Sequence, residues 1–124
     1  MTTIYTLWHS TKSFEDFNRE IENVGYDYLI DVRSKPYSRF VPQYNKNRLM
    51  SYFWEKYIWM WESLGGMDDD ISFEALQRGL QKVSNLAKNH TLVLFCSEKD
   101  FKKCHRYFSI TPELEIRGFK VIHL

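Results

Sequence analysis

TLVLFCSEKDFKKCHR, Thr91–Arg106, is the stretch on which the reading of this 124-residue chain turns. An apolar run ends abruptly at Cys96, Ser97 and Glu98, and a second cysteine, Cys104, follows with His105 and Arg106. An apolar run bounded by polar residues reads as a strand buried on both faces, the habit of parallel sheets covered by helices. Folds of that kind place their chemistry at the carboxyl ends of the strands.

The flanking sequence alternates in the same way. Ile4–Leu7 reads as a strand running into Trp8, His9 and Ser10. Ser13 is a helix cap, and Phe14, Phe17, Ile21 and Val24 form one helical face that stops at Gly25. Tyr28–Ile30 is a second strand, opening at Asp31. A helix is expected from Asn45 or Lys46 through Lys56, a short strand over Tyr57–Trp61, and a helix capped by Ser72 running through Lys88. Asp100 caps a helix bearing Cys104, His105 and Arg106 as far as Phe108. Pro112 then forces a break or a fresh start, Gly118 closes the helical region, and Phe119–Leu124 is the last strand. The expectation is one α/β domain over residues 1–124: three layers, a mainly parallel sheet of about five strands, and helices on both faces.

Hydrophobic residues make up 44% of the chain, enough for a core without disulfide staples. No apolar stretch approaches the ~20 residues that cross a bilayer, and the start of the chain lacks a secretory pattern. A cytoplasmic protein with two thiols and no membrane partner is therefore expected. A net charge of +1 gives no general attraction to nucleic acid. Its distribution is uneven, since five cations and no acid fall between Arg33 and Arg48. Tyr37, Phe40 and Tyr44 are interleaved among them, with Pro36 and Pro42 breaking regular structure. Such a segment suits a phosphate-bearing ligand with a ring to stack, with Tyr37 and Tyr44 as the stacking residues. The alternative is a solvated loop whose rings fold back on the core. Trp54, Trp59 and Trp61 read as core and edge packing, and the acidic run Met67–Asp70 as a solvated loop or helix start.

In a parallel sheet the loops after successive strands share one edge. His9-Ser10, Asp31–Arg39 and Cys96–Arg106 are then neighbours. Arg33, Arg39 and Arg106, with the Ser10 and Ser38 hydroxyls, form an anion receptor, because guanidinium and hydroxyl donors match phosphate oxygens. His9, Asn45, Cys104, His105 and His123 complete the ligand-facing set. Cys96 is a candidate nucleophile before a helix start, or a small buried apolar residue. Asp31 and Glu98 are candidate acid, base or nucleophile, or orienting partners for the arginines. Zinc can be drawn from Cys96, Cys104, His105, His9 and Glu98, but the cysteine spacing departs from structural zinc sites. No cofactor is expected, with zinc kept as the alternative. The oligomeric state is left open.

Several segments resemble a known family in order along the chain: TLWHS, DVRSKPYSRFVPQYN, LGG, CSEKDFKKCHR and the closing VIHL. They are similar to the motifs of DUF488, a family of small bacterial, archaeal and phage proteins of unknown function. The resemblance implies one α/β domain with a polar cluster built from these segments, and no particular activity. Trp8 stands where the family usually has glycine, and Phe101 where it usually has proline. The expected function is that of an enzyme, or a degenerate one, acting on a nucleotide or nucleic-acid component as a hydrolase or transferase. The alternatives are a non-catalytic module binding nucleic acid or protein, and a zinc-dependent hydrolase.

Overall fold

The computed structural model describes residues 2–8, 13–32, 42–60, 73–96 and 111–124. β1 is Thr3–Trp8, α1 Phe14–Asn23, β2 Tyr28–Asp31, α2 Lys46–Phe53 and β3 Tyr57–Trp59. α3 is Phe73–Ala87, β4 Leu92–Cys96, α4 Thr111–Ile116 and β5 Lys120–His123. Short 3₁₀ turns cover Pro42–Tyr44 and Trp54–Lys56. The strand order is β3-β2-β4-β1-β5, and every pairing is parallel. An α/β domain with a five-stranded sheet was expected, and this is one.

The middle strand shows why the fold takes this form. Side chains alternate across a strand, so Leu92 and Leu94 of β4 enter one core while Val93 and Phe95 enter the other. The first core gathers Leu80, Val83 and Ala87 of α3 and Leu114 of α4. The second gathers Phe17 and Ile21 of α1 with Leu49 and Phe53 of α2. The helices therefore cover both faces, α1 and α2 on one and α3 and α4 on the other.

Both glycine stops hold. After α1, the Tyr26 amide donates to Ile21 and the Gly25 amide to Glu22, with Gly25 at φ 67°. After α4, the Phe119 amide donates to Leu114 and the Gly118 amide to Glu115, with Gly118 at φ 94°. Each is a Schellman cap, whose penultimate position favours a residue without a Cβ. At the other end of α1, the Ser13 side chain accepts from the Asp16 amide at 3.2 Å. Pro112 lies in the first turn of α4, where its missing N–H costs nothing, so the helix starts afresh there as expected.

Three expectations change. The helix from Lys46 ends at Phe53 rather than Lys56, because Trp54 turns the chain at φ 51° and ψ −123°. Trp54 is also not core: it is 78% exposed. The strand assigned to Tyr57–Trp61 spans Tyr57–Trp59, and Trp61 and the acidic run lie outside the described residues. So does the helix expected to follow Asp100.

Candidate functional site at the carboxyl edge of the sheet

Connections between parallel strands are overwhelmingly right-handed, so a reversal of direction along the sheet moves the covering helices to the other face. From β1 through β2 to β3 the chain moves toward one edge, with α1 and α2 in the same layer. From β3 through β4 to β5 it moves back, with α3 and α4 in the opposite layer. β1 and β4 are neighbours whose onward connections run to opposite faces, and Trp8 pairs with Cys96 in their last rung. This is the switch point of a doubly wound sheet, the place at the carboxyl ends of the strands where folds of this kind bind their ligands.

Beside it, β2 ends at Asp31, which pairs with Phe95 of β4 and Trp59 of β3. Asp31 is fully buried, and the Tyr57 hydroxyl donates to its Oδ2 at 2.5 Å. Tyr57 pairs with Leu29, two residues before Asp31 on the same face, so the phenol reaches along the sheet to the carboxylate. Lys46 lies over the Trp59 ring, its Nζ 3.6 Å from the centroid. Asn45 precedes α2 and is half-buried; its carbonyl accepts from the Arg48 and Leu49 amides, both at 3.0 Å.

Tyr44 requires a correction. The reading of it as a stacking residue gives way to the alternative, a ring folded back on the core, since it is fully buried. Its ring lies 5.1 Å from that of Phe17, 6.1 Å from Phe95 and 6.3 Å from Phe14. A ring enclosed in this way is part of the core and offers no face to a ligand. Burial, reinforced by Asp16 and Glu20, pushes its phenol up to about 12. Tyr26 is pushed up to about 12 by burial and by the neighbouring Glu22 and Tyr52. Both phenols hold their protons more tightly when folded, so the stability they contribute is present below pH 10 and lost as pH rises toward 12. Denaturant midpoints measured from pH 9 to 12 are expected to fall for the wild type, and to fall less for Tyr44→Phe.

At the far side, His123 ends β5 opposite Thr6 of β1, and its Nδ1 is hydrogen-bonded to the buried Thr6 hydroxyl. The bond fixes the plane of the imidazole from its Nδ1 side. Thr6 and Tyr57 were missed in the sequence, because each matters only through the strand register that sets it beside His123 or Asp31.

Asp31, Asn45 and His123 thus lie at or near the carboxyl edge, with Asp31 and His123 on strands separated by β4 and β1. The backbone of Cys96 closes β4 at the same edge. His9, Ser10, Arg33, Tyr37, Ser38, Arg39, Glu98, Cys104, His105 and Arg106 lie outside the described residues. Among the described residues no group of three or more His, Cys, Asp or Glu is placed to hold a metal ion, and no helix is long and apolar enough to cross a membrane.

The class is that of doubly wound α/β domains with a polar carboxyl edge. Within it, the model of the family Domain of unknown function DUF488 matches residues 13–73, about half of the chain, and the chain belongs to that family. Neither a curated protein nor a solved structure matches it.

Proposed function

We propose that this protein binds a phosphate-bearing ligand, a nucleotide or nucleic-acid component, in the crevice where β1 and β4 end, and that it does so in the cytoplasm. The supporting observation is the reversal of winding between these strands, since ligands of doubly wound sheets bind at such points. The residues that follow β1, β2 and β4 in sequence include Ser10, Arg33, Ser38, Arg39 and Arg106, donors suited to phosphate oxygens. In this reading the arginines hold phosphate, Tyr37 stacks the base, and Cys96 or Glu98 carries a hydrolase or transferase step.

The test is a titration of wild type and Arg39→Ala with mononucleotides and short oligonucleotides at low salt. Wild type is expected to bind, and the variant to lose about 10-fold or more, the worth of one charge-assisted hydrogen bond. Absence of wild-type affinity for both ligands overturns the proposal. Loss of biological activity with binding retained in Cys96→Ser or Glu98→Gln assigns an enzyme; unchanged activity assigns a non-catalytic binding module.

A further inference from the structure

We infer that the surface around Trp54 joins two copies of this chain about a two-fold axis. Trp54 follows α2 with φ 51° and ψ −123°, the one non-glycine residue at positive φ among the described residues. Such a backbone is strained and is least tolerated by bulky side chains. Tryptophan is ordinarily well buried, yet this one is 78% exposed, with Tyr52 at 55% and Met50 at 48% beside it. A strained turn that holds apolar surface in water is accounted for when a partner covers that surface.

The shape of the patch favours a second copy as that partner. Trp54 borders two recesses, one lined with Met50, Ser51, Glu55 and Tyr57, the other with Tyr52, Phe53, Glu55 and Lys56. A projecting ring beside a shallow, open depression is suited to a two-fold contact, in which each copy's indole lies against the other's depression. The charges are self-complementary too. Glu55 and Lys56 are both exposed, and the Lys56 ammonium is held 4.8 Å over the Tyr26 ring. The same axis brings each carboxylate toward the other copy's ammonium, whereas a partner of one charge sign would meet repulsion at one of the two.

Area sets the strength. At 150–250 Å² per aromatic side chain, the exposed parts of Trp54 and Tyr52 in two copies supply roughly 500 Å². That is less than half of the ~1,200 Å² at the lower end of stable interfaces. The dimer is therefore weak and concentration-dependent.

Sedimentation velocity on the full chain from about 1 to about 300 µM tests this. Wild type is expected to shift from monomer to dimer, and Trp54→Ser to remain monomeric. Trp54→Gly also removes the ring while relieving the backbone, so it is expected to be monomeric and at least as stable as wild type. Glu55→Lys and Lys56→Glu should each weaken association by about 10-fold, and their equimolar mixture should restore it. A wild type that stays monomeric throughout, a Trp54→Gly variant that dimerises normally, or a mixture no tighter than its components overturns the inference.

Discussion

Replacing Tyr44 with alanine is expected to destabilise the protein by about 3–5 kcal/mol, the cost of emptying an aromatic site in a closed core. The ring is fully buried and touches rings from α1 and β4, so its loss leaves a cavity where helix layer and sheet meet. Against a typical net stability of about 5–15 kcal/mol, this is a large fraction. Tyr44→Phe keeps the ring and is expected to cost no more than about 1.5 kcal/mol, the worth of one ordinary hydrogen bond. Urea denaturation of the three proteins measures both numbers. The contrast also separates core from ligand platform: a stacking residue would lose affinity on truncation and leave the unfolding midpoint in place.

The second expected result concerns the buried carboxylate. Tyr57→Phe preserves the ring in the second core but removes the hydroxyl that donates to Asp31 Oδ2. A hydrogen bond to a buried carboxylate is worth about 1.5–3 kcal/mol, and the variant is expected to lose that much by the same urea measurement. Tyr57→Phe,Asp31→Leu, which removes both polar partners, should recover part of the loss. The single substitution leaves the carboxylate without this donor, whereas the pair removes both members of the bond at once. If the double variant is instead less stable than Tyr57→Phe by a further 2 kcal/mol or so, Asp31 holds other groups in place as well.

What could be read from the sequence was whatever local chemistry decides. Gly25 and Gly118 end helices because the caps need positive φ, Ser13 starts one because its hydroxyl meets an orphan amide, and Pro112 can open a helix but not continue one. The unbroken run Leu92–Phe95 announced a strand covered on both faces, and that implied parallel pairing. Tyr44 was misjudged because a tyrosine among cations looks alike whether its ring points to solvent or to Phe17. Trp54 was misjudged for the converse reason: tryptophan's usual burial outweighed a backbone angle that no composition reveals. The pairings of Tyr57 with Asp31 and of Thr6 with His123 depend on register between strands 26 and 117 residues apart, which periodicity within one strand does not encode.

The position of β4 also bears on how the chain comes together in time. Its partners are β1 and β2, so the sheet has no centre until residues 92–96 have been made. Of the four neighbouring strand pairs, only β2 and β3 are consecutive in the chain. Each of the others closes a long loop, whose entropy must be met before any contact repays it. Among the described residues, the segment matched by the family, residues 13–73, holds two of the five strands and the helical layer of α1 and α2. One face of those strands would stand in water, awaiting α3. During synthesis that segment is a passenger, and the fold is committed only when its second half emerges.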